Sequence, residues 1–289
     1  MVLPSEGFDP RAVLEAVDAE RCTALYGVPT MFVATLEHPR FGSYDVRSLR
    51  TGIMAGAPCP AELMRQVVTR LHMPEVAIGY GMTELSPIAT FTARDDSLDC
   101  RVGSVGRVLD HVEAKVIDPV TGKTAQRNEP GEFCARGHGL MHGYWDDHAA
   151  TAAAIDADGW MHTGDLATMD EDGYFHVVGR IKDLIIRGGE NICPREVEDF
   201  LLTHPGLSEV QVIGVPDRKY GEEVMGWVKL KSGARVTPDE LTRFCAGKIA
   251  AFKIPRYWRI VTEFPLTVTG KVQKFRMREL AIAELQLDD

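Results

Sequence analysis

Cysteine is sparse and scattered in this chain of 289 residues: Cys22, Cys59, Cys100, Cys134, Cys193 and Cys245 stand far apart. No two form a C-x-x-C pair, which excludes a compact zinc or dithiol motif. Dispersed thiols in a chain this long point to a reducing compartment, and each reads most simply as a small buried hydrophobe. Positive charge is also short: 32 Lys and Arg against 42 Asp and Glu leave a net charge of −10. That disfavours non-specific nucleic-acid binding. No apolar run reaches the roughly 18 residues a membrane-spanning helix needs. The opening Met1-Val2-Leu3-Pro4-Ser5-Glu6 has neither the basic nor the apolar region of a secretory leader, so the expected location is the cytoplasm. A Gly-x-Ser-x-Gly nucleophile elbow is absent. Gly122-Lys123-Thr124 ends like a phosphate-binding P-loop, but Ile117 stands where the first glycine is required. His138 and His142 have the spacing of helical metal ligands, yet Gly137, Gly139 and Gly143 deny them a helix. There is no internal repeat and no low-complexity segment.

What remains is an ordinary globular composition, 45% hydrophobic and 26% charged, with length for a sizeable core and two domains. Residues 9–25 read as an amphipathic helix, with Asp9 as cap and Val13, Leu14, Val17 and Cys22 on one face. Tyr26 to Thr30 is a break, and Met31 to Leu36 resumes helix. Leu49 to Pro58 reads as a short buried strand running into a Gly/Pro loop. Pro60 to Leu71 is helical, and Val76 to Gly81 is a strand ending in glycines. This alternation predicts a mostly parallel sheet. From Arg94 to Gly179 short β-like runs (Val112 to Asp118, Gly131 to Arg136, Tyr174 to Val178) alternate with turn dipeptides, the pattern of a small antiparallel sheet or barrel. Beyond Lys182 the texture changes again. A hairpin turns at Arg187-Gly188-Gly189-Glu190, helices are predicted at Pro194–Leu202, Pro238–Ile249 and Lys274–Leu285, and strands at Val210–Val215 and Val224–Leu230. The fold class is α/β, with residues 1–93 an α/β subdomain, 94–181 β-barrel-like, and 182–289 a small α+β C-terminal domain.

Four segments carry polar residues suited to chemistry. In Gly79-Tyr80-Gly81-Met82-Thr83-Glu84 the glycines let the backbone bend and approach a ligand. Tyr80 offers a face on which a purine stacks, Thr83 a hydroxyl for a phosphate, and Glu84 a hard oxygen for Mg²⁺. Asp165, in Trp160-Met161-His162-Thr163-Gly164-Asp165, follows a glycine turn and suits a ribose diol. The third is Gly179-Arg180-Ile181-Lys182-Asp183-Leu184-Ile185-Ile186-Arg187-Gly188-Gly189-Glu190-Asn191. The fourth, Pro265-Leu266-Thr267-Val268-Thr269-Gly270-Lys271, presents an ammonium able to meet negative charge developing at a carbonyl and a phosphate. Taken singly, each segment reads as a turn, a cap or a solvated lysine. Their occurrence together, in this order, favours a functional reading.

In that order the segments resemble the adenylate-forming superfamily: acyl-CoA synthetases, firefly luciferase and peptide-synthetase adenylation domains. The resemblance runs over essentially the whole chain. It implies an AMP site of Gly56-Ala57-Pro58 beside adenine, Gly79 to Thr83, Asp165 and Arg180 on the ribose, and Mg²⁺ on Glu84. Lys271 would bridge the acyl carboxylate and the α-phosphate, making Lys271, Thr83 and Glu84 the catalytic set. Lys182 falls at the hinge about which the small, mobile domain turns between half-reactions. Arg187, Gly188 and Gly189 would face CoA. The wording of Tyr26-Gly27-Val28-Pro29-Thr30-Met31-Phe32 and Arg187-Gly188-Gly189-Glu190-Asn191-Ile192 looks like medium- or long-chain fatty acyl-CoA synthetases. The implied reaction is ATP-dependent acyl-adenylate formation, then thioester formation with CoA. Lys248 to Arg278 holds eight basic residues against the single acid Glu263; most read as a solvated face, and which of them meet CoA phosphates is open. Enzymes of this family also carry a Ser/Thr/Gly-rich loop ending in Lys that cradles the outer ATP phosphates. No such stretch precedes Gly56. The chain thus resembles the C-terminal half of such an enzyme. The expectations are weak or absent adenylation alone, uncovered apolar surface within residues 9–92, and a separate N-terminal half or a homo-oligomer as partner. The alternatives are a non-catalytic AMP- or CoA-binding remnant, or a ligase for an aryl or other carboxylate.

Overall fold

The computed structural model describes residues 1–267 and 272–287, so Val268, Thr269, Gly270 and Lys271 lie outside the described residues. Two compact units emerge: Met1–Thr163 with Ala167–Val177, and Gly164–Leu166 with Val178–Asp289. Among the described residues no helix is long and apolar enough to cross a membrane.

The first unit opens with α1 (Pro10–Glu20), capped by the Asp9 carboxylate, which accepts from the Arg11 amide. The apolar periodicity predicts helix as far as Leu25, but Arg21 adopts a left-handed conformation (φ 51°) and ends it. The freed segment becomes β1 (Ala24–Gly27), a strand where the sequence reads as helix end and break. After α2 (Pro29–Leu36) come β2 (Thr51–Ala55), α3 (Ala61–Arg70) and β3 (Glu75–Tyr80), then β4 (Thr90–Phe91), α4 (Leu98–Gly103) and β5 (Arg107–Val108). The sheet runs β1-β2-β3-β4-β5, its first three strands parallel and its last two pairings antiparallel. It is therefore mixed, and the first sheet continues past residue 93. In β2, Gly52 and Met54 are buried while Thr51, Ile53 and Ala55 are half-buried, the period-two signature of one well-covered face. On that face Leu14, Phe32, Met54, Met64, Val67, Leu71, Met73 and Val76 are fully enclosed. Each such side chain contributes about 1.5–3 kcal/mol of transfer free energy. Tyr26, Ile53, Ala77 and Phe91 line an open cleft of about 360 Å³, and Tyr26 is 67% exposed.

The second sheet is β6 (Val112–Ile117), β7 (Gly131–Gly137), β8 (Met161–Met169) and β9 (Phe175–Arg180), in that order, with α5 (His148–Ala154) between β7 and β8. Phe133 and Phe175 meet edge to face, 5.0 Å between centroids, in a core with Val116, Met161 and Ala167. Strand β8 is absent from the sequence reading, which takes Thr163-Gly164-Asp165 for a turn. Gly164 does have a positive φ (69°), but within a continuous strand.

In the second unit a 3₁₀ turn (Ile181–Asp183) leads to β10 (Ile185–Arg187) and β11 (Glu190–Ile192). Their antiparallel register closes on Gly188 and Gly189, whose φ of 60° and 90° suit the tight hairpin turn that glycine pairs favour. The remaining elements are α6 (Pro194–Leu202), β12 (Leu207–Asp217), β13 (Gly221–Leu230), α7 (Pro238–Cys245), β14 (Tyr257–Ile260) and α8 (Lys274–Leu285). Helix α7 starts on a Thr237–Glu240 capping box and stops four residues before the predicted Ile249, because Ala246 turns extended and Gly247 takes φ 73°. The sheet runs β11-β10-β13-β12, with β14 parallel to β13. Strand β12 alternates its apolar residues. Val210 and Val212 pack with Val197, Leu201 and Leu241; Ile213 and Val215 pack with Trp227, Met277 and Ala281. One sheet thus separates two cores. All six cysteines are unpaired; two are buried and four half-buried.

Candidate active site

Strands β2 and β3 are adjacent and parallel, with Ala55 opposite Gly79. Gly56-Ala57-Pro58 and Gly81-Met82-Thr83-Glu84 therefore leave the same carboxyl edge of the sheet, where open α/β sheets place ligands. Gly56 takes φ 86°, and all three residues of its loop are exposed. Gly81 is demanded by packing as much as by any ligand: a Cβ there would lie 2.1 Å from the Pro87 carbonyl oxygen and 2.8 Å from Ile88 Cα. The Tyr80 ring is held edge-on by Phe133, at 5.2 Å and 79°.

Thr83, exposed, opens the 3₁₀ turn Thr83–Leu85, and Glu84 sits within it. The Glu84 carboxylate accepts a hydrogen bond from the Tyr144 hydroxyl at 2.8 Å. The same bond pushes Tyr144 above the usual phenol range. Tyr144 is itself positioned by its amide, which donates to Thr151 Oγ1 at 2.9 Å. Sequence reasoning misses Tyr144, which lies 60 positions from its partner. Glu84 retains a second carboxylate oxygen, so a fixed, half-exposed hard donor is present that fits Mg²⁺. Nearby in sequence, burial pushes the Cys59 thiol up to about 12, leaving it a neutral thiol.

In the second unit Arg180 Nε donates to Asp165 Oδ1 at 2.9 Å, bringing together the two residues read as a ribose pair. Asp165 is buried and Arg180 exposed. Lys182 is exposed within its 3₁₀ turn. Gly188 and Gly189 form the exposed tip of the β10–β11 hairpin.

Arg187 does not project freely from that tip. Its guanidinium grips Glu223 through Nε at 2.8 Å and a terminal nitrogen at 2.6 Å, over the Tyr220 ring at 4.2 Å. This fork–fork pairing with a carboxylate that is 1% exposed raises the guanidinium pKa further. The adjacent Glu222 accepts from the Ile186 amide at 2.8 Å and from Arg278 at 2.5 Å. Strand β10 meets β13 through one residue pair, Arg187 and Gly221. Two neighbouring carboxylates of β13 complete that attachment. Neither Glu222 nor Glu223 was legible as a hairpin anchor. Lys271 lies outside the described residues, and its assignment rests on its motif.

Family-model comparison matches residues 1–145 to the AMP-binding enzyme family and residues 196–271 to the AMP-binding enzyme C-terminal domain. The protein YngI of Bacillus subtilis (strain 168) is 52% identical over 286 residues, covering 99% of this chain and 52% of its own length. The mitochondrial medium-chain acyl-CoA ligase ACSF2 of Bos taurus is 48% identical over 287 residues, 99% of this chain and 47% of its own. The crystal structure of ATP-bound MatB from Rhodopseudomonas palustris superposes with a TM-score of 0.85 at 36% identity, covering 95% of this chain and 53% of that one. The chain spans about half the length of the curated relatives it matches.

Proposed function

Because this chain belongs to the AMP-binding enzyme family, we propose that it serves ATP-dependent ligation of a medium- or long-chain fatty acid to CoA. The observation that carries this reading is the pairing of two ligand-suited loops, Gly56 to Pro58 and Gly79 to Glu84, on the carboxyl edge of adjacent parallel strands. Likeness to a medium-chain acyl-CoA ligase supports the substrate class. In the first half-reaction the fatty carboxylate attacks the α-phosphorus of ATP, forming acyl-adenylate and expelling pyrophosphate. In the second the CoA thiol attacks the acyl carbon, forming the thioester and releasing AMP.

The residues divide this work. Tyr80, steadied by Phe133, stacks on adenine. Asp165 accepts from the ribose diol, with Arg180 fixing its orientation. Thr83 meets the phosphate. Glu84 holds Mg²⁺, which when bound neutralises phosphate charge. Lys271 stabilises the negative charge that builds on the carboxylate and α-phosphate. Lys182 is the pivot of the small domain, and the bare backbone at Gly188 and Gly189 leaves room for the pantetheine arm of CoA.

The test is ATP–pyrophosphate exchange by the purified chain with octanoate and Mg²⁺, beside Lys271→Ala and Glu84→Gln. Octanoate-dependent exchange that disappears in Lys271→Ala supports the reading. Glu84→Gln is expected to remove the Mg²⁺ dependence of ATP binding, seen by calorimetry. A folded chain that binds AMP without exchange is what the missing phosphate loop predicts, and the reading then stands or falls on whether an added N-terminal half restores octanoate-dependent exchange. A folded chain that does neither would refute it.

A further inference from the structure

Outside the proposed site, Glu132, Cys134 and His162 bring one oxygen, one sulfur and one nitrogen to within 4.8 Å of one another. We propose that these three side chains bind a zinc ion on the face of the second sheet opposite its Phe133 core. The placement follows from strand geometry. Glu132 and Cys134 are two apart on β7, so they share a face, while Phe133 and Ala135 between and beside them enter the apolar core. His162 stands on β8, the neighbouring strand.

The distances suit a tetrahedral ion. Zinc bonds of about 2.3 Å to sulfur and 2.0–2.2 Å to nitrogen and oxygen place neighbouring donors about 3.3–3.6 Å apart. Here Cys134 Sγ lies 3.7 Å from His162 Nδ1, and Glu132 Oε2 lies 2.9 Å from the same nitrogen. Small side-chain rotations open the second distance. Behind the imidazole, Asp156 Oδ2 faces Nε2 at 3.6 Å, while its Oδ1 is fixed by the amides of Asp158 at 3.0 Å and Trp160 at 2.8 Å. A carboxylate behind the non-coordinating nitrogen is the usual support of a metal-bound histidine.

Charge also balances. A divalent ion with one thiolate and one carboxylate is neutral, which suits a site whose Cys134 has no exposed surface. Coordination displaces the Cys134 thiol proton to solvent; the His162 side chain, 29% exposed, marks the open side and leaves a fourth position for water. Thiolate with imidazole selects zinc over magnesium or calcium. The site is independent of the ligase reading.

The experiment uses the metal-free 289-residue chain under reducing conditions, titrated with Co²⁺ and then Zn²⁺. The expected result is one equivalent of Co²⁺ with a thiolate-to-cobalt charge-transfer band, bleached by Zn²⁺, and a higher melting temperature with Zn²⁺. Cys134→Ser abolishes the band and Cys193→Ser keeps it. His162→Gln and Asp156→Asn weaken binding by about tenfold or more. Circular dichroism confirms that each variant is folded, and His162→Gln carries the test if Cys134→Ser is not. A folded chain without the band, or a band surviving in folded Cys134→Ser, overturns the site.

Discussion

Replacing Glu223 by alanine is expected to destabilise the second unit by about 3 kcal/mol, the lower end of the cost of removing one partner from a buried ion pair. The Arg187 side chain, 20% exposed, would keep its charge and lose both hydrogen bonds. Arg256, 3.7 Å from Glu223, would lose an ionic neighbour as well and keep Asp217 at 3.2 Å. Solvent reaching Arg187 softens the loss, which is why the lower end applies. Removing both partners together, Glu223→Ala with Arg187→Ala, is expected to cost less than the sum of the single changes, because no charge is then stranded. Denaturant melts measure the difference, and hydrogen exchange should confine the weakening to residues 178–289. A loss below about 1 kcal/mol, the scale of ordinary point changes, would show that the pair does not anchor the hairpin.

The second large effect falls on nucleotide affinity. Tyr80→Ala is expected to weaken AMP binding about fivefold to 150-fold, from a stacking contribution of about 1–3 kcal/mol per base. The ring is already oriented by Phe133, which in turn packs on Phe175, so little ordering remains to offset the gain on stacking. Tyr80→Phe keeps the face and should stay far closer to the parent. Calorimetric titration with AMP decides the matter. An unchanged affinity in folded Tyr80→Ala would remove this ring from the adenine contact.

The same two cases show what a sequence reveals about its own fold. Helices α6 and α8 are legible to the residue. Pro194 marks the start of α6, and its buried Val197 and Leu201 keep helical spacing to its end. The Gly188-Gly189 hairpin is equally plain, since only glycine readily takes both positive φ values. Strand β8 escapes because Gly164 carries a turn signal inside a strand that its neighbours hold in place. Strand β1 escapes because tertiary pairing with β2 decides a four-residue segment that local pattern does not. The loops of the candidate AMP site can be located from their glycines and hydroxyls. Their supports, Phe133 beneath Tyr80, Tyr144 on Glu84 and Glu223 on Arg187, lie tens of residues away and leave no periodic trace.

The hydrogen bond from Tyr144 to Glu84 also builds an optical gauge into the molecule. A phenol absorbs differently once ionised, and this one resists ionisation because its proton is shared with an anionic neighbour. Removing that neighbour's charge, as Glu84→Gln does, would ease the ionisation. Among seven tyrosines, the spectrum of the parent minus that of Tyr144→Phe isolates this one chromophore. Its alkaline titration should lie above that of an ordinary tyrosine and fall back in Glu84→Gln, reporting the hydrogen bond without any substrate or turnover.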